Sequence, residues 1–258
     1  MPKVCICFYG LVHRSLPHTI DSIEQNIFNV LKENNIEYDT YVHTWDASYA
    51  HSPRSDEIEI PIDPSCCSLL HASELVKEPY DDMIKLVNYK RYNDVWRDKY
   101  VTIVNWLNEI QSIKKVTTLW QPKKDEYTLY LYLRPDLKYH TPLPIKYLQE
   151  HLQGNVDKPV FFKTDWAGSG GILDYTGIGN YKGIIKWANR IDTWSKFATE
   201  NAEKHVQWVL KDQTRCRLVS LPMLFSRVRS NKKIEKEGWQ FHGSHLQICK
   251  SVGCPANC

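Results

Sequence analysis

A chain of 258 residues, 42% hydrophobic and 24% charged, carries enough apolar side chain to bury a sizeable core, which excludes a disordered polypeptide. Its 33 basic residues are interspersed with 30 acidic ones for a net charge of +3, so there is no basic stripe of the kind that coats a phosphate backbone, and nucleic acid is not an expected partner. No run approaches the roughly 20 apolar residues of a membrane span, and MPKVCICFYG passes straight into a strand without a signal-peptide layout, so a cytoplasmic protein, of a cell or of an infected host cell, is expected.

Residues 3–9 (KVCICFY) form an apolar run that stops at Gly10, the pattern of a buried first strand followed by a turn. Leu16, Ile20, Ile23, Ile27, Val30 and Leu31 then recur at helical spacing, with Asp21 and Glu24 in the early turns and Asn34-Asn35 at the close. From Ile36 the period becomes two, through Tyr38, Thr40 and Val42 to His43-Thr44-Trp45, which completes a strand-helix-strand unit of parallel-sheet type. Pro53, Pro61, Pro64 and Pro79 interrupt residues 46–98, which are expected to be an insertion or lid. A long helix is predicted from about 100 to 120, with Ile103, Leu107, Ile110, Ile113 and Thr117 on one face. The run YTLYLYL at 127–133 has high strand preference and is apolar on both faces, as a central strand should be. A short helix at 145–152, a strand at 159–163, a glycine-rich loop at 165–171, helices at 181–191 and 200–211 and an apolar stretch at 218–225 complete the pattern. It predicts an α/β fold, a single domain with a mostly parallel sheet flanked by helices.

In open α/β sheets ligands bind beyond the carboxyl ends of strands, so the residues there are the candidates for chemistry. Gly10 permits a tight turn after Tyr9, and Arg14 and Ser15 at a helix N-terminus suit a diphosphate; a plain turn with a capping Ser15 is the alternative. His43 closes the second strand. Arg134-Pro135-Asp136 ends the central strand, where a carboxylate can hold a divalent cation or close the strand as an Arg-Asp ion pair. Arg227 and Arg229, at i and i+2, point to one face if extended and suit a phosphate-binding wall. In the loop that runs from Asp165 to Gly171, Trp166, with Gly170 in the same loop, could stack on a ligand ring, and Asp165, or Asp174 beyond it, could accept a proton. Nine Trp and fifteen Tyr suit ring stacking or a large aromatic core. The cysteines lack the spacing of a disulfide framework; Cys249, Cys254 and Cys258 form a tail rather than a paired-Cys zinc signature.

CFYGLVHRSLPHTIDSIEQNIFNVLK with YDTYVHTW, then SIKKVTTLW, YLRPDLKY and FSRVRSN, together resemble glycosyltransferase-like sequences of bacteria, algae and large DNA viruses, of the GT-A type. The resemblance implies a Rossmann-type fold with a nucleotide-sugar-binding half at 1–140, an acceptor-side half at 141–248 and a tail at 249–258. It implies a nucleotide-diphosphate sugar as donor, a glycan or glycoprotein as acceptor, and a divalent cation, Mn²⁺ or Mg²⁺, held by an Asp-x-Asp. Here Arg134 stands near the place of the first Asp, so Asp136 with His242 and His245, which are similar to a late ligand segment, would form the metal set, or arginine would supply part of the charge. A non-catalytic glycan-binding module and an α/β methyltransferase are the alternatives; for the latter, the glycine-rich first loop is reduced to Gly10.

Overall fold

The computed structural model describes residues 3–80, 88–155, 157–166, 170–198 and 200–235. Strand β1 (Lys3–Phe8) leads into helix α1 (Leu16–Ile23), a π-type turn (Glu24–Phe28) and α2 (Asn29–Glu33), so the single helix expected over this stretch is interrupted by one wide turn. β2 (Tyr38–Asp46) follows, then a hairpin of β3 (Tyr49–Ser52) and β4 (Glu57–Pro61), and then β5 (Glu74–Pro79). The long helix α3 (Val101–Trp120) precedes the central β6 (Tyr127–Leu133) and the short β7 (Leu137–Tyr139). Helix α4 (Ile145–Leu152), β8 (Val160–Lys163), β9 (Thr176–Gly179), α5 (Tyr181–Ala188), α6 (Ala202–Trp208), β10 (Arg217–Ser220) and β11 (Phe225–Arg227) close the order.

Seven strands form one sheet in the order β10-β8-β9-β6-β1-β2-β5. β9 runs antiparallel to both of its neighbours, β6 and β8, and every other pairing in the sheet is parallel. The protein therefore has the expected α/β architecture, a Rossmann-type, mostly parallel mixed sheet with helices on both faces. Strand alternation divides the core. Val4, Ile6 and Phe8 of β1 and Leu129, Leu131 and Leu133 of β6 face α1, α2 and α4, whereas Cys5, Cys7, Tyr130 and Tyr132 face α3 and α5. The alternating Tyr and Leu of YTLYLYL are thus the two faces of one buried strand.

Two strands of the main sheet depart from the expectations. β5 lies in the stretch expected to be an insertion or lid, yet pairs in parallel with β2 at the sheet edge, where its charged residues can face water. β9 (TGIG) falls in a stretch with no expected element. Its glycines are needed for close approach: a Cβ on Gly177 would sit 2.5 Å from the Trp187 ring, and one on Gly179 would sit 2.4 Å from the Val160 carbonyl oxygen. β7 and β11 pair antiparallel outside the main sheet, and the Val228 N–H donates to the Asp136 carbonyl at 2.7 Å.

Candidate anion-binding cleft

Chain order reverses at β1, which has β2 on one side and β6 on the other. The carboxyl ends of β1 and β6 therefore flank a topological switch point, the place where open α/β sheets bind ligands. A cleft of about 1290 Å³ opens there, lined by Tyr9, Gly10 and Arg14 after β1, Trp45 and Asp46 at the end of β2, Arg134, Pro135 and Asp136 after β6, Glu109 on α3, and Asp174, Tyr175, Glu203, Arg227, Arg229 and Glu235.

The turn after β1 depends on Gly10, whose φ of +89° is in the left-handed region and whose N–H donates to Ser112 Oγ at 2.7 Å. Arg134, at the end of β6, makes the central contacts. Its Nε and Nη2 donate to the two oxygens of Asp136 at 2.9 and 2.8 Å, and Nη1 donates to Glu109 Oε2 at 3.1 Å. Its guanidinium lies 5.1 Å from the centre of the Tyr175 ring, and that of Arg227 lies 4.8 Å from the same centre. Burial pushes the Asp136 carboxyl up, but the charge and hydrogen bonds of Arg134 outweigh it and hold Asp136 well below the usual carboxylate range. Glu109 goes the other way. Burial is the main cause, Arg134 opposes it, and Asp174 and Asp136 add repulsion, so its carboxyl is raised to about 7.

The other arginines are paired as well. Arg14 donates from Nε to Glu57 Oε1 at 3.0 Å and from Nη2 to Glu57 Oε2. Glu57 is fully buried and also accepts from the N–H and hydroxyl of Ser230, at 2.8 and 2.6 Å. Arg227 and Arg229 converge on Glu235, with Nε donating at 2.7 and 2.6 Å respectively. β11, by pairing with β7, brings both of these residues beside Asp136. Gly171 lets the segment that leads to Asp174 run against the start of α6, since a Cβ there would meet the Glu203 backbone at 2.2 Å.

Of the candidate residues, the cleft brings together Tyr9, Gly10, Arg14, Arg134, Asp136, Asp174, Arg227 and Arg229. Ser15 is buried and makes no side-chain cap to α1. His43 is buried beneath α3, bonded through Nδ1 to Ser112 at 2.7 Å; burial is the main cause that lowers it to about 4, against the pull of Glu78. Trp166 packs in the core against Phe225, with ring centres 4.8 Å apart, and Asp165 is ion-paired with Lys163. Neither they nor Gly170 line the cleft. His242, His245, Cys249, Cys254 and Cys258 lie outside the described residues. Sequence reasoning did not reach Glu57, Glu109, Tyr175 or Glu235. Glu109 had a signal: it lies three residues after Trp106 and four before Ile113, on the apolar face of α3.

Among the described residues no three His, Cys, Asp or Glu side chains are grouped so that they could hold a metal ion, and both oxygens of Asp136 are engaged by Arg134. Likewise among the described residues, no helix is long and apolar enough to cross a membrane.

The fold and cleft define a class, α/β proteins with an arginine-lined cleft at the switch point of a Rossmann-type sheet. No family model matches the chain, and no curated protein matches it. Among solved structures, the glycosyltransferase GlyE of Streptococcus pneumoniae TIGR4 is similar over 86% of this chain, at 14% identity and a TM-score of 0.36. The match takes in 45% of that chain, so this protein spans less than half the length of the structure it resembles.

Proposed function

We propose that the protein transfers a sugar from a nucleotide-diphosphate donor to a hydroxyl of a glycan or glycoprotein acceptor. The observation that carries this reading is the convergence of Arg14, Arg134, Arg227 and Arg229 on one cleft at the switch point. Cleavage of a sugar–diphosphate bond leaves negative charge on the departing phosphate, and fixed guanidiniums in a partly water-excluded cleft stabilise that charge as it forms. Asp136 holds the Arg134 fork in place through both oxygens. A divalent cation would supply the same neutralisation when bound. The described residues as they stand do not form its ligand set, and His242 and His245 lie outside them; the chemistry proposed for the described residues is that of the arginines.

The acceptor hydroxyl is placed against the cleft carboxyls Asp174 and Glu109. Glu109, held near 7, is matched to accept a proton at neutral pH. The acceptor O–H bond breaks towards Glu109 and the oxygen bonds to the anomeric carbon. The bond from that carbon to the diphosphate breaks, and its electron pair leaves with the phosphate.

A panel of nucleotide sugars, assayed for donor hydrolysis and transfer with Mn²⁺, with Mg²⁺ and with a chelator, tests the reading. The expected result is turnover of at least one donor, and turnover that survives chelation favours the arginines over a metal. Glu109→Gln should lower kcat by about 10²–10⁴-fold while donor still binds. No turnover of any nucleotide sugar, with no binding of nucleoside diphosphates, removes the proposal.

A further inference from the structure

Each of the four arginines that converge beside Asp136 already has a carboxylate partner: Arg134 has Asp136 and Glu109, Arg14 has Glu57, and Arg227 and Arg229 share Glu235, whereas the exposed Arg54, which also lines the cleft, donates to the Thr102 hydroxyl. A diphosphate can gain the full charge of this wall only if one of those carboxylates gives way. We infer that Glu235 is the one, a built-in occupant of the phosphate subsite that an incoming diphosphate displaces from Arg227 and Arg229. This rests on the donor reading above.

Burial and geometry separate Glu235 from Glu57 and Asp136, while Glu109, 19% exposed, holds one nitrogen of an Arg134 that Asp136 keeps paired whether or not Glu109 leaves. The side chain of Glu57 is 0% exposed and accepts four hydrogen bonds, from Arg14 and Ser230; pulling it away would strand a buried carboxylate and a half-buried guanidinium. Asp136 is 7% exposed and both of its oxygens are bonded to Arg134. Glu235 is 22% exposed, so on leaving the arginines its carboxylate is taken up by water, and the incoming phosphate takes its place on guanidiniums that are themselves 22% and 9% exposed. It also belongs to no strand of the main sheet. Its N–H donates to the Arg227 carbonyl at 2.9 Å, next to an isolated bridge between Val228 and Ile234. Swinging its side chain out leaves Arg14 on Glu57 and Arg134 on Asp136.

The chemistry of the contact matches the proposed ligand. Each Glu235 oxygen faces one guanidinium: Oε2 lies 2.5 Å from Arg227 Nη2, and Oε1 lies 2.5 Å from Arg229 Nη2. Two oxygens held by two forks is how a phosphoryl group is gripped, and a phosphoryl group brings more charge and a third oxygen. The Arg14 guanidinium shares Glu57 with Arg229, whose Nη1 is 3.9 Å from Glu57 Oε2, so Glu57 continues to position Arg229 beside the vacated subsite.

Titration calorimetry with inorganic pyrophosphate, at fixed and low ionic strength, tests this on the wild type, Glu235→Gln, Glu235→Asp and Glu235→Gln combined with Arg227→Ala and Arg229→Ala. Glu235→Gln should bind pyrophosphate more tightly by on the order of tenfold, the scale of one charge-assisted contact relieved. Glu235→Asp, whose carboxylate stops one methylene short of the forks, should show a smaller gain with the charge retained. Removing the two arginines should abolish the gain. Unchanged or weaker binding in both Glu235 variants overturns the inference, because Glu235 would then be holding the arginines in place for the ligand. If no nucleotide sugar turns over but the gain for pyrophosphate is present, the donor reading fails and the displaceable occupant stands. If a donor turns over and the gain is absent, the occupant fails alone.

Discussion

Glu109 and Asp136 share Arg134 but are shifted in opposite directions, and stability should record it. The Glu109 carboxyl is raised from 4.5 to about 7, so its stabilising contribution is full below its unfolded value and is lost as pH rises through about 7. Glu109→Gln removes that liability. The melting temperature of the variant should therefore gain on the wild type from about pH 5 to about pH 8; a constant gap would show that Glu109 does not titrate there. Asp136 is lowered from 3.8, so the stability it supplies is present above that value and lost as pH falls through the folded one. Asp136→Asn leaves the buried Arg134 without its bidentate carboxylate and should cost about 3–5 kcal/mol in urea unfolding at neutral pH. Arg134-Pro135-Asp136 was legible in sequence as a strand-end site, and its alternative reading as an ion pair is the contact the structure has. Glu57 and Glu235 were not legible. Ser230, which clamps Glu57, lies 173 positions away from it, and no local pattern encodes that contact.

Elements with a strong period were readable from sequence, and those whose form depends on a neighbour were not. β1, β6 and α3 are where apolar spacing puts them, because each buries a face large enough to dominate its local preference. β5 looks like a loop because an edge strand needs little apolar surface and can end in Pro79, with one ladder side unpaired. β9 looks like a turn because half of TGIG is glycine. Those glycines exist for the partner: Trp187 packs where a Gly177 side chain would be, and the β8 backbone lies where a Gly179 side chain would be. Gly177→Ala should therefore destabilise by about 1–3 kcal/mol through overpacking against the buried Trp187 ring. Gly179→Ala should cost at least as much, since the atom it meets is backbone and cannot rotate away. Urea midpoints of the two variants measure this, and wild-type stability in both would mean that β9 does not lie where the ladder puts it.

At the scale of the molecule, the cleft is closed by residues from three distant stretches that the sheet alone would not bring together. Arg14 follows β1, Glu57 begins β4 of the hairpin, and Arg229 and Ser230 follow β11; the Glu57 carboxylate ties all three. Arg14 and Ser230 hold Glu57 below its ordinary 4.5 against the effect of burial, so the clamp is intact above that value and weakens as pH falls through the folded one. Glu57 and Glu235 thus both neutralise cleft arginines, but they act differently on a ligand. Glu235 is partly exposed and occupies the forks a phosphate would use, whereas Glu57 is buried and builds the wall that presents Arg14 and Arg229. Glu57→Gln should therefore lower stability by about 3–5 kcal/mol and also weaken pyrophosphate binding, the opposite sign to Glu235→Gln in the same titration. Two carboxylates of equal charge in one arginine cluster would then have opposite effects on the same anion, which overall charge cannot produce. If both substitutions strengthen binding by the same factor, long-range electrostatics governs the cleft, and the geometry of the clamp has no part in it.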